Sequence, residues 1–240
     1  MARYSAGFYH VVMPFDEPTM RRTLAALHSL DMGFFPADLL ISRQEKVVLH
    51  GPDEYARDLI PAGYFISPSV ATLPLESSNG VHVVFTETDN PRAIPGSLVL
   101  QMTDRTITEN GWTIQSLLLL FRAVITAFGP DYGHFYDESH AARPVYTSRM
   151  FDFDGRRVPS GLFWINYYGP EWVRSVGAER LERLRLAVPV FERLDNGGVL
   201  IAIQEALYDE GVTSHRENQQ NLEELLGLRQ VQASFPNPGI

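Results

Sequence analysis

The sequence predicts an α+β fold: a single domain over residues 1–240, with a mainly antiparallel sheet packed against helices. Strand candidates fall in neighbouring pairs with helices between the pairs, not in strict strand–helix–strand alternation. The chain has 240 residues, 45% of them hydrophobic, which is enough to bury a sizeable core. The stretch 112–128 is apolar on all sides in its middle and calls for neighbours on several faces. No repeat, low-complexity tract or long Gly/Ser linker divides the chain.

Taken in order, the first helix starts at Asp16, a good N-cap, with Glu17 and Pro18 in the first turn. Met20, Leu24, Leu27 and Leu30 follow helical spacing, and Gly33 is placed to end it. Residues 46–50 read as a short strand stopped by Gly51-Pro52. Residues 61–80 contain Pro61, Pro68 and Pro74 and are expected to be irregular. Residues 81–86 and 97–102 are strands separated by a proline-containing turn region. The longest helix, 112–128, is closed by Gly129-Pro130. Residues 146–153 lead into the turn dipeptide Asp154-Gly155. Residues 162–168 form the best strand by aromatic and β-branched content. Gly169-Pro170 breaks it and opens a helix that Gly177 ends, and 178–186 is a second short helix. Residues 188–194 and 199–203 flank Asn196-Gly197-Gly198 as a β-hairpin, and 215–226 is a final polar helix.

Acidic residues outnumber Lys and Arg by 29 to 20, for a net charge of −9. That balance disfavours a nucleic-acid binder, which needs cationic surface against phosphate, and permits a basic partner. The absence of cysteine excludes disulfides, thiolate nucleophiles and cysteine-ligated metal. The first ten residues carry no apolar signal core. The greasiest segment contains Gln115 and Arg122 and falls short of the ~20 apolar residues that span a bilayer. A cytoplasmic protein without a membrane partner is expected.

The chemistry-bearing candidates are few. Asp131, His134, Asp137 and His140 lie within ten residues and are the right ligand types for a metal-dependent hydrolase. They match no recognised metal spacing, and a polar loop after a buried helix is the more common origin of such a run. Asp152 and Asp154 could hold a divalent ion, but a hairpin turn explains Asp154-Gly155 better. No Gly-x-Ser-x-Gly elbow, Gly-x-Gly-x-x-Gly loop or Walker A motif occurs, and Asn196-Gly197-Gly198 sits between strands. No catalytic residue, metal ligand or cofactor site is assigned, and the expectation is a protein that is not an enzyme.

Charge placement is more informative. Between Gln204 and Glu224 stand Glu205, Asp209, Glu210, Glu217, Glu223 and Glu224, against Arg216 alone. Such a cluster is either solvated surface or an acidic docking face that steers a basic partner.

The run Leu162-Phe163-Trp164-Ile165-Asn166-Tyr167-Tyr168-Gly169-Pro170-Glu171-Trp172-Val173-Arg174-Ser175-Val176-Gly177 resembles immunity proteins of bacterial polymorphic toxin systems. The match is to the immunity protein 52 family first and to type VI secretion immunity proteins second. Shared features are an aromatic strand of the form Phe-Trp-x-Asn-Tyr, a Gly-Pro break and a short helix ending in glycine. The resemblance implies a cytoplasmic antidote that binds and neutralises a cognate toxin, commonly a restriction-endonuclease-like nuclease, without catalysis or cofactor. It transfers no interface residues, so the six carboxylates stand as the toxin-binding candidates on charge alone. A metal-dependent hydrolase built on 131–140 is the alternative, and a structural component of a secretion or phage-like assembly is a third reading.

Overall fold

The computed structural model describes residues 3–10, 16–30, 32, 38–40, 46–48, 65–67, 70–76, 81–88, 96–138, 151–153, 156–158, 161–209 and 211–227. By its internal packing the chain divides into two compact units, Met1–Gly133 and His134–Ile240.

The first unit contains β1 (Arg3–His10), β2 (Asp38–Leu40), β3 (Lys46–Val48), β4 (Phe65–Ser67), β5 (Val70–Glu76), β6 (His82–Thr88) and β7 (Gly96–Thr103). Its helices are α1 (Glu17–Ser29), α2 (Asp104–Glu109) and α3 (Ile114–Phe128). The strands run in the order β1-β7-β6-β5-β4, and each of these neighbours pairs antiparallel. β2 and β3 form a separate antiparallel pair. Period-two alternation is clear in β7, where Leu98, Leu100 and Met102 are buried and Ser97, Val99 and Gln101 are half-buried.

Helix α3 buries Leu117, Leu118, Leu120, Phe121, Val124, Ile125 and Phe128, while Leu119 in the middle of the apolar run is exposed. The Phe121 ring lies 4.7 Å from that of Phe8, and Phe128 lies 6.3 Å from Phe85. The helix starts at a Thr113–Ser116 capping box and ends at Gly129, whose φ of 65° is a left-handed cap that glycine adopts freely. Helix α1 packs against α3 and is capped as expected, with Asp16 accepting from the Thr19 N–H at 2.8 Å.

The second unit holds β8 (Tyr132–Asp137, from His134 onward), β9 (Phe151–Phe153), β10 (Arg156–Val158), β11 (Ile165–Tyr168), β12 (Val190–Arg193) and β13 (Val199–Ala202). Its helices are α4 (Pro170–Val176), α5 (Ala178–Arg185) and α6 (Thr213–Leu226). Strand order is β12-β13-β11-β8, with β13 antiparallel to both β11 and β12. Every residue of β11 and β13 is buried, so both faces of these strands are covered. The β9–β10 hairpin places Phe153 opposite Arg156, in line with the turn expected at Asp154-Gly155, which itself lies outside the described residues. The fold is α+β, with antiparallel sheet packed against helices.

Several local expectations need correction. Residues 61–80 are not wholly irregular, because β4 and all of the seven-residue β5 lie there. Pro74 lies inside β5, opposite Val84 of β6. Helix α1 stops at Ser29 rather than continuing to Gly33, since Leu30 turns to extended backbone and bonds back to Leu27. The segment expected as a polar loop after α3 is strand β8 over Tyr132–Asp137.

Candidate protein-binding site

The Phe-Trp-x-Asn-Tyr segment enters β11 through two peptide groups held by side chains. Asn166, fully buried, accepts from the Phe163 N–H at 2.8 Å and donates its Nδ2 to the Phe163 carbonyl at 2.7 Å. The preceding peptide is gripped from helix α6. The Leu162 N–H donates to Glu223 Oε1 at 3.0 Å, and Gln219 Nε2 donates to the Leu162 carbonyl. Glu223 follows Gln219 by four residues, so the two side chains project from neighbouring turns of one helix face. Buried backbone groups need such partners, and here side chains replace a ladder that has not yet begun.

The same face of α6 buries Leu222 and Leu226. Tyr208 donates its hydroxyl to Gln219 Oε1 at 2.5 Å, and Asn218 Nδ2 donates to the Ile203 carbonyl at 3.1 Å. Trp164, 3% exposed, meets the Phe135 ring edge-on at 5.2 Å and donates its indole N–H to the Gln204 carbonyl at 3.0 Å. Residues 204–209 and α6 are thus anchored to the aromatic segment. Burial, followed by the Glu223 charge, pushes the Tyr168 hydroxyl far above its ordinary range, so it stays neutral. At the hairpin, a Cβ on Gly198 would lie 2.7 Å from the Tyr167 ring and 2.8 Å from the Tyr168 carbonyl, which explains that glycine.

The acidic candidates separate by this geometry. Glu205, Asp209, Glu217 and Glu224 are exposed, Glu210 lies outside the described residues, and Glu223 is half-buried at the Leu162 N–H. On α6, Glu217, Asn221 and Glu224 fall at i, i+4 and i+7 and form one solvent-facing stripe. That stripe is opposite the one that carries Gln219, Leu222 and Leu226. Asp209 closes a tight turn, accepting from the Gly211 N–H at 2.7 Å through its carboxylate.

The 131–140 candidates do not converge. His134 and Asp137 are three residues apart on a strand, so their side chains leave from opposite faces. His134 is buried, stacked on Phe163 at 4.3 Å, and desolvation lowers its pKa to about 3, which keeps it neutral. Asp131 lies in the first unit, and its backbone N–H donates to the Tyr9 carbonyl at 2.9 Å. His140 lies outside the described residues. Among the described residues no three His, Asp or Glu side chains are grouped to hold a metal ion, and no helix is long and apolar enough to cross a membrane.

The fold has a counterpart among solved structures. The fold is shared with a type VI secretion protein. The chain is similar to a Pseudomonas aeruginosa T6SS protein, PA0821, with a TM-score of 0.56 and 14% sequence identity. The likeness covers 95% of this chain and 72% of that one. At this identity the shared property is the fold. No protein-family model matches the chain, and no curated protein matches it.

Proposed function

We propose that this protein is an immunity protein of a type VI secretion toxin system, which neutralises its toxin by binding and needs neither a catalytic step nor a cofactor. The observation that carries the proposal is the fold likeness to a T6SS protein over 95% of the chain. The Leu162–Gly177 segment, which resembles immunity proteins, supports it. The toxin in this reading is a nuclease of the restriction-endonuclease-like class. Its cleft, made to accept DNA phosphates, also accepts carboxylates. The exposed carboxylates of Glu205, Asp209, Glu217 and Glu224 are the docking residues. Glu223 holds the docking helix in place through Leu162.

The experiment is co-expression and mixing with the toxin encoded beside this gene. The expected result is restored cell survival and a stable complex of defined stoichiometry. Failure to bind that toxin, or survival of cells without binding, rejects the proposal.

A further inference from the structure

Two backbone groups of one residue compete for a single ring nitrogen at the start of α6. The Nδ1 atom of His215 lies 3.1 Å from the Asp209 backbone nitrogen and 3.2 Å from the Asp209 carbonyl oxygen. A lone pair on Nδ1 accepts from the N–H, whereas a proton on Nδ1 donates to the carbonyl. Neutral imidazole with its proton on Nε2 makes the first bond. Imidazolium, protonated on both nitrogens, makes only the second.

Asp209 makes further bonds to Gly211 and Val212. The Val212 N–H donates to the same Asp209 carbonyl at 3.1 Å, and the Gly211 N–H donates to Asp209 Oδ1 at 2.7 Å. The Tyr208 ring lies 5.7 Å from the imidazole, and its hydroxyl is tied to Gln219. The Asp209 carbonyl can accept from both Val212 and a protonated His215, but the Asp209 N–H then loses its acceptor.

We propose that His215 is a protonation-controlled latch on the Asp209 backbone, exchanging the Asp209 N–H···Nδ1 bond for an Nδ1–H···O=C bond when it takes up a proton. The proton comes from solvent and no other reactant is needed. The exchange also places a positive charge in the acidic segment. Its effect on partner binding rests on the docking reading above; the bond exchange itself does not.

The elements beside the ring carry charged or titratable groups. The turn supplies the Asp209 carboxylate and the Tyr208 hydroxyl, and the helix supplies Arg216 and Glu217. Arg216 is engaged with Thr213 Oγ1 at 3.2 Å. Helix α5, packed against α6, brings Glu179, Arg180, Glu182, Arg183 and Arg185. Of these, Arg180 places its guanidinium by Gly227, at the opposite end of α6. A cation at His215 is attracted by Asp209 and opposed by the positive N-terminal end of the helix dipole.

The test follows backbone amide and histidine ring signals by NMR between pH 8 and pH 5, the interval in which histidine ordinarily changes charge. The Asp209 amide signal is expected to shift with the same midpoint as the His215 ring. Its hydrogen exchange, corrected for pH, is expected to quicken about tenfold on the acid side. His215→Ala, a change at a half-buried position, should abolish both responses while retaining helix signals for residues 217–226. An Asp209 amide that does not follow the ring, or that still titrates in His215→Ala, overturns the latch. Where the cognate toxin binds, wild-type affinity should fall about fivefold from pH 8 to pH 5 and stay flat in the variant. Equal pH dependence of binding in both proteins overturns the regulatory part. Absence of binding at every pH rejects the immunity reading, while the latch still stands or falls on the NMR titration.

Discussion

Glu223 accepts a hydrogen bond from the Leu162 backbone N–H at 3.0 Å, across 61 positions of sequence. One carboxylate of the acidic segment therefore supports the fold, while Glu217, earlier on the same helix, faces solvent.

This contrast is measurable by chemical denaturation. Glu223→Ala leaves the Leu162 N–H without its acceptor and should cost about 1–3 kcal/mol. Glu217→Ala should change stability by no more than about 0.5 kcal/mol. Equal effects at the two positions would contradict the assignment of roles.

Asn166 and Trp164 are expected to matter for different reasons. Asn166→Ala removes both partners of the Phe163 peptide in a fully buried setting and should cost about 2–4 kcal/mol. Trp164→Ala empties a buried site and should cost about 3–5 kcal/mol. Asn166→Asp keeps the acceptor for the Phe163 N–H but loses the donor to its carbonyl. It should therefore be destabilising at pH 7, read as a lowered Tm.

Buried His134 makes stability pH-dependent with a definite sign. Its folded pKa of about 3 lies below the ordinary value of 6.5, so the unfolded chain binds the extra proton first. The stability of the neutral, stacked ring is fully present above pH 6.5 and is lost as pH falls toward 3. At pH 5 the penalty is about 2 kcal/mol, or about 4–8 °C in Tm. His10, held low by burial, adds to the same slope, so His134→Phe should reduce the acid-side loss without removing it. A Tm equally pH-dependent in His134→Phe would place the effect elsewhere.

Neutralising the exposed acidic side chains tests the docking surface without disturbing the anchor. Glu205→Gln, Asp209→Asn, Glu217→Gln and Glu224→Gln together should slow association with the cognate toxin about tenfold at low salt. Dissociation should change far less, and the difference should shrink at high salt. Salt-independent association in the unmodified protein would show that these carboxylates are solvated surface.

Much of the architecture is legible from local chemistry. The Asp16 cap, the Gly129 stop and the Asn196-Gly197-Gly198 turn each place an element end through a specific backbone requirement. Strand β1 escapes such reading because Tyr4, Ser5, Ala6, Gly7 and Phe8 are all buried, which erases the alternation that marks a strand with one wet face. Helix α2 has only six residues and too few turns for a period to show. The 131–137 stretch reads as polar loop because Tyr132, His134 and Asp137 are buried only by tertiary packing. The α6 anchor leaves one detectable sign: Gln219 shares a helical stripe with Leu222 and Leu226, a polar residue where an apolar one is expected. What it grips lies 57 positions away, and no spacing rule reaches that far.

The two stripes of α6 separate what must persist from what can vary. Gln219, Leu222, Glu223 and Leu226 hold the helix to its unit, and Glu217 and Asn221 are exposed on its other side. Substitutions at Glu217 and Asn221 can therefore accumulate in a lineage with little stability toll, so a paralogue could acquire a different partner by exchanging surface residues on an unchanged scaffold.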